Sequence, residues 1–152
     1  MKERYRLIPE VFVLIVQEGK VLLGKRANTG YWDGTWGLPG GHGEDRETLR
    51  QGAAREAKEE LGIDIDPADL QLVLVQHRWC ADPGNDGHAR VGFYFVPQRF
   101  RGMIRNVEPG KCDGLEYFVL DALPDAVVPH VREALACYRQ GVRYNEFDWE
   151  TL

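Results

Sequence analysis

Three carboxylates, Glu56, Glu59 and Glu60, fall at i, i+3 and i+4 in the run Arg55-Glu56-Ala57-Lys58-Glu59-Glu60-Leu61. At 3.6 residues per turn, that spacing puts them on one helical face, while Ala53, Ala54, Ala57 and Leu61 gather on an adjacent apolar flank. Like charges placed this way destabilise an isolated helix by about 0.2 to 0.5 kcal/mol per pair, so the stripe calls for a counter-charge. A hard divalent cation meets that need: Mg²⁺, or Mn²⁺ in its place, takes oxygen ligands, keeps several waters and shares its shell with substrate phosphates. On spacing alone, a solvated acidic face is the competing reading.

The stripe must be held by its helix, which the sequence predicts over Glu47 to Leu61, rich in Ala, Glu, Arg and Lys and stopped by Gly62. Gly52 inside it implies a close packing contact. Glu44 and Asp45 precede the helix, where negative charge favours the N-terminus without any catalytic role. Upstream, Val11 to Val16 and Val21 to Gly24 read as a hairpin turning at Glu18-Gly19-Lys20, and the glycine-rich stretch from Ala27 to Gly43 reads as an irregular functional loop. Downstream, Leu70 to Gln76, Val91 to Val96 and Leu115 to Leu120 read as strands, with a polar turn at Asp82 to Gly87. Val128 to Gln140 reads as an amphipathic helix stopped by Gly141. The aromatic and acidic tail, Tyr144 to Leu152, is expected to pack loosely or at an interface, which would suit a homodimer.

Composition bounds the partners. A chain of 152 residues with 43% hydrophobic content is one domain with one well-filled core, and no linker or repeat divides it. The longest apolar run, Val11 to Val16, is far short of the roughly 20 residues a membrane helix needs, and Met1 to Arg6 does not read as a signal peptide, so a cytoplasmic protein without a membrane partner is expected. A net charge of -5 disfavours nucleic-acid polymers. The three separated cysteines Cys80, Cys112 and Cys137 read as reduced thiols. The glycines lack the spacing of a dinucleotide fingerprint or a phosphate loop. His77, His88 and His130 show no spacing for a shared site, and Trp79 and Arg90 are candidates for a pocket mouth.

The segment Gly41-x5-Glu47-x7-Arg55-Glu56-Ala57-x-Glu59-Glu60-x-Gly62-Ile63 resembles the Nudix box, residues 41–63, with Ala57 as the one small residue at a bulky aliphatic position. The lead-in Trp36-Gly37-Leu38-Pro39-Gly40-Gly41-His42 and the order of the later elements extend the resemblance over most of the chain. It implies an α/β fold, the Nudix-type α/β/α sandwich with a mixed β-sheet between helices, in a single domain over residues 1–152. It also implies a hydrolase acting on phosphorus-containing acid anhydrides, a nucleoside diphosphate-X pyrophosphohydrolase. Carried over by position, Glu56, Glu59 and Glu60 would bind the metal with the Gly40 carbonyl, and Glu47 with Arg55 would form the salt bridge that orients helix and loop.

Water attack on a pyrophosphate needs a base, for which Glu59 is the first candidate and Glu108 its competitor. Glu108 lies in Arg105-Asn106-Val107-Glu108-Pro109-Gly110-Lys111, which resembles the corresponding stretch of Nudix enzymes that hydrolyse nucleoside triphosphates to monophosphates. Arg26 and Lys111 are candidate phosphate contacts, and Trp32 and Trp36 candidate base contacts, Trp36 also suiting the core. The expected reaction is Mg²⁺-dependent cleavage of a nucleoside triphosphate, ordinary or oxidised, to the monophosphate and pyrophosphate. ADP-ribose or a nucleotide sugar is the second reading, weakened because the proline that marks ADP-ribose enzymes past the box is replaced by His77-Arg78-Trp79-Cys80. A non-catalytic Nudix-like ligand sensor is the reading from another class, and the intact carboxylates speak against it.

Overall fold

Elements in chain order position the acidic helix against a central strand. The computed structural model describes residues 1–80 and 88–150; the polar stretch from Asp82 to Gly87 and the end of the tail lie outside them. The strands are β1 (Ile8–Val13), β2 (Val16–Gln17), β3 (Lys20–Arg26), β4 (Trp36–Gly37), β5 (Gly40–His42), β6 (Leu70–Cys80), β7 (His88–Pro97), β8 (Cys112–Val119) and β9 (Tyr144–Phe147). The helices are α1 (Leu49–Leu61) and α2 (Pro129–Gln140), with a 3₁₀ turn at Pro67–Asp69.

Five strands form a mixed sheet in the order β5-β1-β7-β6-β9, in which β1 runs parallel to β7 and β6 parallel to β9. A smaller antiparallel sheet centres on β3, which pairs with β2, β4 and β8. Strand β1 is buried on both faces, as expected of a strand covered by helices. Val11, Val13 and Ile15 join Ala53, Ala57, Leu61 and Ile63 of the α1 layer, and Phe12 and Leu14 join Val131 and Leu135 of the α2 layer. The helix–sheet–helix sandwich is therefore present.

Helix α1 starts on a capping box, with Thr48 accepting from Gln51 N and the Gln51 side chain accepting from Thr48 N. It ends on Gly62 in the left-handed region, φ +71°. Its buried flank is small (Gly52, Ala53, Ala57), so the helix backbone lies close to β1 and the carboxylate stripe is placed by main-chain approach. A Cβ at Gly52 would come within 2.8 Å of Glu47 Oε1, which is the close contact the sequence implied.

Four expectations change. The hairpin is formed by β2 and β3, because Val11 to Val13 belong to β1, which lies between β5 and β7 in the larger sheet. The glycine-rich segment is not wholly irregular, because β4 and β5 pair briefly with β3 and β1. Strands β6 and β7 run longer than their apolar stretches, since the ladder continues through Arg78↔Arg90 to Cys80↔His88. The tail does not pack loosely: β9 adds to the edge of β6, and Trp149 Nε1 donates to His77 O at 2.9 Å with its ring 4.5 Å from the His77 ring. Of the tail aromatics, Trp149 packs on His77 and Trp79 within the chain, whereas Tyr144 is half exposed. Among the described residues, no helix is long and apolar enough to cross a membrane.

Candidate active site

Arg55 is the hub of the carboxylate helix. Its Nε and Nη2 donate to the two oxygens of Glu47 at 3.0 and 2.8 Å, a fork geometry that fixes both partners. Nη2 also donates to His42 O at 3.1 Å, and Nη1 donates to Glu56 Oε1 at 2.9 Å and Glu59 Oε2 at 3.3 Å. Hydrogen bonding from Arg55 holds the Glu47 carboxyl below its ordinary pKa, and Glu47 in turn raises that of Arg55. One arginine therefore joins the loop before the helix to the carboxylate face.

Glu60 is outside that network. Its Oε2 accepts from Gly40 N at 2.8 Å, which ties β5 to the helix. Burial, with the neighbouring Glu56 and Glu108 charges, pushes the Glu60 carboxyl up to about 8, and burial likewise raises Glu56. The two glycines of β5 are needed for space: a Cβ at Gly40 would run into Val11 O, and one at Gly41 into the Glu56 carboxylate. The segment carrying Glu108 is pinned to the end of α1, where Leu61 O accepts from Arg105 N at 3.0 Å and Glu60 O from Val107 N at 3.1 Å. Those are carbonyls a helix end leaves without intrahelical partners, so the helix terminus itself delivers Glu108 to the stripe.

A cavity of about 460 Å³ opens between these parts, lined by Arg26, Gly40, Glu56, Glu59, Glu60, Glu108 and Lys111. Arg26 is held by Nε donation to Tyr31 O at 2.7 Å and Nη2 donation to Thr29 Oγ1 at 3.1 Å. Asn28 Nδ2 donates to Gly110 O at 2.9 Å and closes the loop after β3 onto the Glu108 segment. A second, larger cavity of about 990 Å³ adjoins the first, since Arg26, Leu38 and Gly40 line both. Trp32, about half exposed, Trp79 and Arg90 open on this second space. Trp36 faces neither cavity: its ring rests edge-on against Phe118 at 4.8 Å, among the partly buried residues of the core.

Sequence reasoning missed the polar wall of the second cavity, built from Glu10, Arg78 and His130 with Gln76 and Tyr94 behind. A signal existed in β6, where Leu74, Gln76, Arg78 and Cys80 share one buried face, so two polar residues occupy inward positions.

The donor set suits a hard cation. It offers the carboxylate oxygens of Glu56, Glu59 and Glu60 on one cavity wall, and burial beside Glu56 and Glu108 makes a charge on Glu60 unfavourable unless a cation joins it. Among the described residues, no three His, Cys, Asp or Glu side chains close into a metal cage. Glu56, Glu59 and Glu60 line one cavity without converging on a single point, so waters and phosphate oxygens would have to complete the shell of an Mg²⁺ bound there.

Comparison with known proteins agrees with this geometry. Residues 6–137 match the family model of the NUDIX domain. Phosphatase NudJ of Escherichia coli K12 is 30% identical over 151 residues, covering 93% of this chain and 94% of its own. An 8-oxo-dGTP diphosphatase of Proteus vulgaris is 31% identical over 98 residues, covering 64% of this chain and 82% of its own. Relatives from Mycobacterium tuberculosis match over 60 residues, so the chain spans only 28% of their length. The crystal structure of a MutT NUDIX hydrolase from Burkholderia pseudomallei superposes with a TM-score of 0.74 at 31% identity, covering 87% of this chain and 98% of that one. With the family model matched over residues 6–137 and the same sandwich around a carboxylate helix braced by one arginine, the chain belongs to the Nudix family.

Proposed function

We propose that the enzyme cleaves a nucleoside triphosphate, ordinary or oxidised, to the monophosphate and pyrophosphate, with Mg²⁺ held by Glu56, Glu59, Glu60 and the Gly40 carbonyl. The observation that carries this reading is the pairing of the two cavities: a charged one suited to a metal-bound polyphosphate, continuous with a larger one walled by aromatic and polar side chains. The name of the Proteus vulgaris relative, an 8-oxo-dGTP diphosphatase, supports a nucleoside triphosphate over a nucleotide sugar.

When bound, the cation supplies neutralisation of the phosphate oxygens and a water of lowered pKa. The chain's own residues do the rest. Arg26 and Lys111 stand at the cavity wall as cations for the phosphate chain. Glu59 or Glu108 takes the proton of the attacking water; the first is on the helix and the second comes to the same cavity from the opposite segment. Glu47 and Arg55 hold the helix face without touching substrate.

The test is release of pyrophosphate from a panel of nucleoside triphosphates and nucleotide sugars with Mg²⁺, repeated on Glu60→Gln. Glutamine keeps an oxygen for Gly40 N and removes a buried charge, so folding is retained, while turnover falls by about 100-fold or more, the equivalent of several kcal/mol of charge stabilisation. Failure of the wild type to hydrolyse any triphosphate in the panel would end this reading.

A further inference from the structure

The second cavity is floored by side chains whose donor and acceptor roles the hydrogen-bond network fixes. On one side, Arg78 Nη2 donates to Glu10 Oε1 at 2.7 Å, and Glu10 Oε2 accepts from Arg90 Nη1 at 3.1 Å. Both oxygens of the carboxylate are engaged in orienting guanidinium groups. The Arg78 side chain is 4% exposed, its Nε is enclosed and without a partner among the described residues, and Nη1 makes a long 3.5 Å contact with Tyr31 Oη. The Nη groups are therefore the part of this cation that can donate at the cavity wall.

On the other side, the network determines the tautomer of His130. Gln76 Nε2 donates to His130 O at 3.1 Å, so Gln76 Oε1 is the atom facing Tyr94 Oη, 2.9 Å away. An amide oxygen only accepts, so the single phenolic proton is spent there. The 3.2 Å contact between Tyr94 Oη and His130 Nδ1 must then use a proton on Nδ1. Burial, with the Arg78, Arg26 and Arg90 charges, holds His130 well below its ordinary pKa and therefore neutral. A neutral ring with its proton on Nδ1 has a bare Nε2, which is an acceptor. Phe12, stacked on Tyr94 at 4.7 Å and tilted against His130 at 5.6 Å, supports the ring in place.

A guanidinium donor and an imidazole acceptor in one cavity complement a base edge that carries a carbonyl oxygen beside a ring N–H. We propose that Arg78 and His130 select nucleotides whose base presents this oxo edge, as hypoxanthine, guanine and uracil do, over the amino bases adenine and cytosine. In the same orientation an amino base would point N–H groups at the guanidinium and a bare ring nitrogen at His130 Nε2. Turned end for end, it would offer Arg78 a single ring nitrogen in place of a carbonyl oxygen, which is the acceptor arginine pairs with best. The aromatic rim at Trp32 and Trp79 stacks either class and does not discriminate.

This inference rests on the nucleoside triphosphate reading, so two measurements separate them. The first is kcat/KM with Mg²⁺ for inosine, uridine, adenosine and cytidine triphosphates; the second is calorimetric binding of inosine and adenosine monophosphates, which needs no turnover. The expected result is a preference of about tenfold or more for inosine over adenosine and for uridine over cytidine. In His130→Asn, which keeps a donor toward Tyr94 and loses the Nε2 acceptor, and in Arg78→Lys, which keeps charge and loses the fork, both ratios fall toward one. Hydrolysis of all four nucleotides with equal efficiency overturns the selectivity and leaves the hydrolase reading intact, as does a preference that survives in both variants. Absence of hydrolysis with tighter binding of inosine monophosphate supports the pocket and ends the triphosphate reading. If neither variant folds, equal binding of the two monophosphates to wild type overturns the proposal.

Discussion

Removal of Arg55 should loosen the active site from behind. Arg55→Ala takes away the one cation shared by Glu47, Glu56 and Glu59, whose contacts lie between 2.8 and 3.3 Å. The Glu47 and Glu56 side chains are only 15% and 12% exposed, so both are left as poorly solvated charges without a counter-charge from Arg55, Glu47 keeping its bond from Glu44 N. Breaking a fully buried pair costs about 3 to 5 kcal/mol. The arginine itself is 22% exposed, and solvent screening lowers the expectation to about 2 to 3 kcal/mol. For a chain of this length, that is a fall in Tm of about 4 to 12 °C. Arg55→Lys keeps the charge but not the fork, so less than half of the loss should return. The assay is urea unfolding of metal-free wild type, Arg55→Ala, Glu47→Gln and the double variant. A coupling of about 1 to 3 kcal/mol is expected between the two sites. Additivity within about 0.5 kcal/mol, with Arg55→Ala melting within about 2 °C of wild type, would refute the role of Arg55 as the hub.

The remaining predictions concern protons. Because the folded-state pKa of His130 is depressed by burial and by the arginines around it, the unfolded chain binds a proton near pH 6.5 that the folded chain refuses. Stability from this group is complete above that pH and falls below it at up to about 1.4 kcal/mol per pH unit. Because Glu60, raised to about 8, contributes a slope of opposite sign to both proteins, the slope is read from the difference between wild type and His130→Asn in denaturation series between pH 7 and 5, and a difference independent of pH would contradict a neutral buried ring. Glu59→Gln and Glu108→Gln identify the base: its loss lowers kcat by about 10²- to 10⁴-fold and removes the acidic limb of the pH–rate profile. The other variant keeps that limb, and two unaltered profiles would place the base elsewhere.

Legibility in the sequence followed locality. The brace between Glu47 and Arg55 was legible only through the resemblance to the Nudix box, whereas the carboxylate stripe and its stop at Gly62 lie within one helix, where a 3.6-residue period converts spacing directly into geometry. Gly52 could be read for the same reason, as a missing side chain inside a helix demands a close neighbour. The tail was misread because a parallel partner is non-local: nothing in Tyr144 to Phe147 announces that β6 lies alongside. Trp36 shows a related gap, because an aromatic residue in a glycine-rich loop fits a ligand or a core equally well until Phe118 arrives from β8.

The second cavity was hidden for a deeper reason, which also bears on how such an enzyme is built. Glu10, Gln76, Arg78, Tyr94 and His130 come from β1, β6, β7 and α2, so no window of sequence contains the set. Each is a polar residue at an inward position, where burial is unfavourable unless every group finds a partner. Gln76 is fully buried and both ends of its amide are satisfied, by His130 O and Tyr94 Oη. Glu10 is satisfied by two arginines. Among the described residues Arg78 Nε is left unpaired, but the bonds on Gln76 and Glu10 fix orientations, and fixed orientations are what selection of one base edge over another requires. The carboxylates proposed for the metal thus sit on one helix, with Arg26, Glu108 and Lys111 brought to the same cavity from elsewhere, whereas the wall of the second cavity is dispersed over β1, β6, β7 and α2. The net charge of -5 fits the same division, because the acidity that repels a polyanion is gathered where a metal would invert it, and the wall beyond offers arginine.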